Sequence, residues 1–298
     1  MNSASTTADV NRSSNRASVA TAPPLPPGDH LELPGRGTTF VRHAAGPPGA
    51  PTVVLLHGLT ATADLNWFTS YAALARHFQV VALDHRGHGR GIRSRRQFRL
   101  ADCADDVVAV ADQLGIHRFV PVGYSMGGPI AQLIWHRHRR RVSGLVLCAT
   151  SRNFRGRPAE RLMFGTLAGI VPAARLTTGN MRRRVTERLM ADRLPPDNAL
   201  ALWARDEFSR GDPAKVMEAA AALGAFSSHG WIGQVDVPTA VVITERDRLV
   251  PPHRQHKLAD AILGAVVVPV AGDHGVCVEN PGLFVPALVR ACRAVTNA

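Results

Sequence analysis

Lysine is nearly missing from this chain. Its 298 residues carry a formal charge of +12, yet lysine stands only at Lys215 and Lys257, so the positive charge is almost all arginine. The arginines are scattered through most segments instead of forming one tract, which argues against nucleic acid as a partner and reads as a compositional bias. Arg93-Ser94-Arg95-Arg96, Arg137-His138-Arg139-Arg140-Arg141 and Arg182-Arg183-Arg184 are read as solvated surface, with weak association to an anionic membrane, or to nucleic acid, as the minority alternative. Long apolar runs are lacking too. The uncharged run Leu162 to Ala174 is too short for a bilayer and contains Gly165, Gly169 and Pro172, so no transmembrane helix is expected. No apolar stretch of signal-peptide type follows Arg12 and Arg16. Cysteine is scarce as well: Cys103, Cys148, Cys277 and Cys292 are far apart and form no metal-spaced pair. Reduced, buried thiols in a cytoplasmic protein without a metal are the expectation.

What remains is a globular composition, 45% apolar and 19% charged, in a length suited to one large α/β domain or to a core with an inserted subdomain. Residues 1–30, rich in Ser, Thr, Asn and Ala and then in Pro, read as a disordered tail. From residue 31 short apolar runs alternate with helix-patterned segments. Strands are expected at Thr38–His43, Thr52–Leu56, Val80–Leu83, Arg118–Val122, Val142–Ala149, Pro238–Thr244 and Ala265–Val270. Helices are expected at Asn66–His77, Leu100–Leu114, Pro129–Arg137, Pro252–Leu263 and Pro281–Val295. On the second of these helices, Leu100–Leu114, residues Asp105, Asp106 and Asp112 are placed outward. Such alternation implies an α/β fold with a mostly parallel sheet of about eight strands, covered on both faces. The rhythm stops between 152 and 231, an Arg- and Ala-rich stretch broken by prolines, and resumes from 232. The expected organisation is therefore a core in two parts, 31–151 and 232–298, with a helical cap at 152–231 lying over the strand ends where ligands bind.

The most informative stretch is Val120-Pro121-Val122-Gly123-Tyr124-Ser125-Met126-Gly127-Gly128-Pro129. An apolar strand turning through Gly-x-Ser-x-Gly into a helix is the layout of a nucleophile elbow, with Ser125 at the turn over a helix N-terminus. A serine hydroxyl needs a base, and the base needs an orienting group. Asp247 follows the strand ending at Thr244, and His274 follows the strand ending at Val270. In a parallel sheet both loops emerge at the edge that carries the elbow, in the chain order Ser, Asp, His. Asp273, adjacent to His274, is assigned to structuring the loop. Backbone N–H groups of Met126 and Leu59 are the candidate oxyanion donors, Gly58 allows close approach, and His57 is read as a loop brace. Trp67 and Tyr124 are candidate borders of a substrate pocket. Apolar residues in the cap stretch, among them Leu162, Met163, Phe164, Trp203 and Phe208, supply enough material for an acyl pocket.

From about Leu31 onward the chain resembles the α/β-hydrolase fold family, in an esterase- or lipase-like serine-hydrolase form. The resemblance is carried by His57-Gly58-Leu59, Asp84-His85-Arg86-Gly87-His88-Gly89, Gly123-Tyr124-Ser125-Met126-Gly127-Gly128, Asp247 in Asp-x-x-Val-Pro, and Gly272-Asp273-His274. It implies nucleophile, acid and base roles at Ser125, Asp247 and His274. Relatives that dehalogenate or open epoxides generally use an Asp nucleophile, and this chain has Ser125. The expected activity is hydrolysis of a small-molecule carboxylic ester, with no metal or organic cofactor. Acyl transfer to an alcohol or peroxide and carbon–carbon bond hydrolysis use the same triad, and a ligand-binding receptor on this fold is the alternative of another class. Oligomeric state is not legible in the sequence.

Overall fold

The computed structural model describes residues 22–155 and 199–296. Eight strands form one sheet: β1 (Gly28–Leu33), β2 (Gly37–Ala44), β3 (Thr52–Leu56), β4 (Gln79–Leu83), β5 (Val120–Tyr124), β6 (Leu145–Cys148), β7 (Thr239–Thr244) and β8 (Val266–Val270). Their spatial order is β1-β2-β4-β3-β5-β6-β7-β8, with β1 and β2 antiparallel to their neighbours and all later pairings parallel. The inner strands β3 to β7 are short and almost wholly buried, as in Thr52-Val53-Val54-Leu55-Leu56, because helices cover both faces of a parallel sheet.

Among the described residues the α-helices are α1 (Ala63–Trp67), α2 (Tyr71–Ala75), α3 (Leu100–Gln113), α4 (Gly127–Arg137), α5 (Ala199–Ser209), α6 (Pro213–Ala225), α7 (Pro252–Ala259), α8 (Val276–Glu279) and α9 (Pro281–Thr296). Side chains alternate across the strands, and the core therefore divides in two. Val54, Leu56 and Val241 face α3, α4 and α7 on one side. Val53, Leu55 and Val242 face α1, α2 and α9 on the other. No helix among the described residues is long and apolar enough to cross a membrane.

Four sequence expectations need correction. The tail expectation for 1–30 ends too late, because Gly28 already pairs with Arg42 at the start of an antiparallel hairpin. That strand is mostly exposed, with only Leu31 and Leu33 turned inward, so it carries little apolar periodicity. Residues 1–21 lie outside the described residues. The single helix expected at Asn66–His77 is two short helices, since Thr62 caps α1 and the Thr69 hydroxyl donates to the Cys277 carbonyl at 2.8 Å, holding the turn between them. The strand expected across Val142–Ala149 narrows to β6. Asp106 is not outward: it is buried beneath Arg86 and Arg36, whose guanidinium groups donate to it at 2.6–2.7 Å. The loop after β4 reaches onto α3 through that pair, a contact between segments remote in sequence that helical spacing cannot reveal. Replacing Asp106 with Ala removes the carboxylate that both guanidinium groups share and leaves Arg86 only its 3.7 Å contact with Asp102, and we expect a loss of about 3 kcal/mol in a urea unfolding curve.

The arginine cluster at 137–141 is largely engaged on the surface. Arg137 and His138 pair with Asp105, Arg141 pairs with Asp112 and donates to the Ile116 and His117 carbonyls, and Arg139 lies over the Trp135 ring. The cluster at 182–184 lies outside the described residues.

Candidate active site

β5 lies between β3 and β6, with Gly123 opposite Leu56 and Tyr124 opposite Cys148, so the turn after it sits at the middle of the sheet edge. Ser125 has φ +52°, in the left-handed region that costs a non-glycine residue about 1–3 kcal/mol. Three hydrogen bonds fix it there. Its N–H donates to the Cys148 carbonyl at 2.9 Å, and its own carbonyl accepts from Gly128 N–H at 2.9 Å and from the Thr150 hydroxyl at 2.8 Å. The flanking glycines are required by contact. A Cβ on Gly123 would lie 2.2 Å from the Gly127 carbonyl oxygen, and one on Gly127 would lie 2.2 Å from that of Leu56.

The loops after β7 and β8 are tied together by Glu245 N–H to the Val270 carbonyl and Arg246 N–H to that of Gly272, at 2.9 and 3.0 Å. This brings three side chains into line. His274 Nε2 lies 3.0 Å from Ser125 Oγ, and His274 Nδ1 lies 2.7 Å from Asp247 Oδ2. Asp247 is buried and fully hydrogen bonded. Its Oδ1 accepts from the N–H groups of Leu249 and Val250, and its Oδ2 also accepts from the Thr244 hydroxyl at 2.7 Å and Gln255 Nε2 at 3.3 Å. Asp273 turns away and takes the backbone N–H groups of Arg248 and His274 and the Arg248 guanidinium. Those two N–H groups, with the guanidinium, hold its carboxyl down to about 2.

On the other side of Ser125, a Cβ on Gly58 would lie 3.3 Å from the serine Cβ, so the loop after β3 passes directly beside the nucleophile position. Asn66 Oδ1 accepts from Gly58 N–H at 2.9 Å and braces that loop. Among the described residues, neither the Leu59 nor the Met126 N–H donates a hydrogen bond. His57 is wholly buried: its Nε2 accepts from His85 N–H at 2.9 Å, so Nδ1 carries the proton and donates to the Gly58 carbonyl at 2.8 Å. Burial pushes its pKa down to about 4, which keeps the ring neutral and fits a brace.

The structure corrects the two candidate pocket residues. Trp67 has no exposed surface and packs edge-on against Tyr124 at 6.0 Å, within the core that includes Phe284. Tyr124 is 3% exposed, and its hydroxyl donates to the His274 carbonyl at 2.6 Å. Both are pulled inward because they are large apolar rings at the foot of the elbow. Of the cap residues, Trp203 on α5 packs against Phe68 at 5.3 Å, whereas Leu162, Met163 and Phe164 lie outside the described residues. Sequence reasoning missed Thr244, Gln255, Asn66, Thr150 and the Tyr124 hydroxyl contact. None carries a motif, since each acts through hydrogen bonds to partners that only the fold brings near.

The alpha/beta hydrolase fold family model matches residues 51–281. The chain is similar to the "Putative carbamate hydrolase RutD" of Agrobacterium fabrum, 28% identical over 264 residues that cover 82% of this chain and 94% of that protein. Among solved structures it is similar to a hydrolase from Pseudomonas aeruginosa PA01, with TM-score 0.74 and 22% identity, covering 88% of this chain and 97% of that one. It is also similar to the enol-lactonase from Burkholderia xenovorans LB400, with TM-score 0.72 and 24% identity over 88% of this chain and 98% of that one. The structural likenesses carry the fold, and the family model, which spans the sheet from β3 through β8, carries the membership. The chain belongs to the alpha/beta hydrolase fold family.

Proposed function

We propose that this hydrolase cleaves a carboxylic ester of a small or medium apolar substrate through an acyl-enzyme on Ser125. The observation that carries the reading is the unbroken chain Ser125 Oγ, His274, Asp247, with contacts of 3.0 and 2.7 Å. Ser125 Oγ attacks the ester carbonyl while His274 Nε2 takes its proton, and Asp247 holds the ring by Nδ1–H and balances the imidazolium that forms. The oxyanion is met by the N–H groups of Met126, at the foot of α4, and Leu59. His274 returns the proton to the leaving alcohol, then draws one from the water that releases the acid.

Residues 152–231 serve in this reading as a cap over the site. In support, α5 and α6 rest on the loop after β4: Glu207 accepts from Arg90 at 3.1 Å, and Glu218 accepts from Phe98 N–H at 2.7 Å. Trp203 on α5 also packs edge-on against Phe68, which follows α1, at 5.3 Å.

Gln255 is a positioning residue. It bonds to Thr244, Asp247 and the Val250 carbonyl from a fully buried site. Gln255→Ala is expected to lower kcat about tenfold with little change in KM, because Asp247 loses a donor and its neighbour Thr244 loses two hydrogen bonds.

The relatives named as carbamate hydrolases, similar over most of their length, favour a second reading in which the same triad attacks a carbamate. A panel of p-nitrophenyl alkanoates and p-nitrophenyl N-alkyl carbamates of matched chain length separates the two. Higher kcat/KM on the esters is the expected outcome. The reverse order would move the assignment to carbamates, and turnover of neither would contradict both.

A further inference from the structure

We propose that a cavity at the root of the cap binds a small carboxylate or phosphate anion between Arg152 and Lys257. The cavity has a volume of about 250 Å³, several times the ~30 Å³ that one water occupies in the liquid. Its walls come from three remote segments: Ser151, Arg152 and Asn153 after β6, His229 after α6, and His253 and Lys257 on α7. Among the described residues, no carboxylate lines it. Among the described residues, neither Arg152 nor Lys257 makes an ion pair. Arg254 also borders the cavity and has interactions of its own.

Cations brought together without counter-charge repel one another, and an anion held among them relieves that repulsion. The effect of the crowding is already visible at His229, whose pKa is lowered by burial and by the charge of Arg152. The frame is preformed. Ser228 N–H donates to the Arg152 carbonyl at 2.9 Å, and the buried Gln132 donates to the Ser151 carbonyl at 3.2 Å while accepting from the Ser228 hydroxyl at 2.7 Å. The backbone at 151–153 is thereby fixed while the Arg152 side chain is left to reach into the cavity. Ser151 follows Thr150, whose hydroxyl bonds to the Ser125 carbonyl, so the cavity begins roughly 10 Å from the elbow backbone. One source of such an anion is the acid tail of a substrate bound at Ser125. In that case the inference rests on the ester-hydrolase reading and narrows its substrate to an acid-tailed ester. A free anion is the other source of the same chemistry.

Two measurements on the wild type and on Arg152→Gln/Lys257→Gln decide it. The first is calorimetric titration with inorganic phosphate at low salt, where affinity should fall about threefold to tenfold for each cation removed. The second compares p-nitrophenyl monoesters of dicarboxylic acids with chain-matched p-nitrophenyl alkanoates. A fall in the charged-to-neutral kcat/KM ratio in the variant supports binding of the substrate's own tail. Lost phosphate binding with an unchanged ratio supports a free anion. No phosphate binding in the wild type, or equal binding in both proteins with an unchanged ratio, would overturn the proposal. Should no ester be turned over, the ester reading fails while the phosphate titration still judges the cavity.

Discussion

Ser125→Ala is expected to reduce kcat on the order of 10⁶-fold, which corresponds to about 8 kcal/mol of transition-state stabilisation. The size follows from what the hydroxyl does. Without it there is no acyl-enzyme, and His274 has no proton to take, so the base and its Asp247 orienter become idle together. Because the three act as a unit, His274→Ala should cost about as much, and the double variant should be scarcely worse than either alone. The variants are expected to keep their thermal stability, since Ser125 is held at its positive φ by backbone bonds that alanine retains. Turnover of p-nitrophenyl butyrate, measured with enough enzyme to detect the residual rate, checks the losses in kcat, and a thermal melt of each variant checks the stability. A Ser125→Ala protein within tenfold of the wild type would remove the covalent mechanism.

Acidification is expected to unfold the protein steeply through three histidines behind the site. His57, His85 and His88 are wholly buried, with the His57 ring 4.3 Å from His85 and 5.4 Å from His88. Burial lowers all three from their ordinary 6.5, His57 to about 4, His88 to about 3 and His85 well below. Their folded pKa values lie under the unfolded one, so the unfolded chain binds more protons between pH 6.5 and about 4, and stability falls as pH falls through that window. With three protons taken up on unfolding, the slope is about 4 kcal/mol per pH unit. A domain of ordinary stability, about 5–15 kcal/mol, loses most of it by roughly pH 4–5. His85 is the clean test, because neither ring nitrogen has a partner among the described residues. His85→Leu should raise stability at pH 7, by removing two orphaned polar atoms, and reduce the slope by one third. Urea unfolding at pH 7, 6 and 5 gives both numbers; a profile flat from 7 to 5 would contradict the trio's role.

Much of this architecture could be read from the chain before any coordinates. Short β-branched and aliphatic runs bounded by glycine and proline turns, such as Thr52–Leu56, announce buried parallel strands, and the strand expected at Arg118–Val122 lies two residues later, at Val120–Tyr124. The elbow was legible because tight backbone contact leaves room only for hydrogen at 123 and 127, which fixes the spacing of the glycines. Asp247 and His274 could be named because a parallel sheet puts every such loop at one edge. What stayed hidden depends on contacts between segments far apart in sequence. Asp106 has the periodicity of an outward residue, and only the arrival of Arg36 and Arg86 buries it. Trp67 looked like a pocket wall, yet its place is set by Tyr124 and Phe284, the latter more than two hundred residues away. Thr244 and Gln255 are ordinary polar residues until the fold turns them on one carboxylate.

The central claim is that one serine oxygen, and no other, is activated by one imidazole. A fluorophosphonate probe followed by peptide mapping tests it without assuming a substrate. The adduct should sit on Ser125 alone and disappear in His274→Ala. An unlabelled Ser125, or stoichiometric labelling at a different residue, would contradict the account.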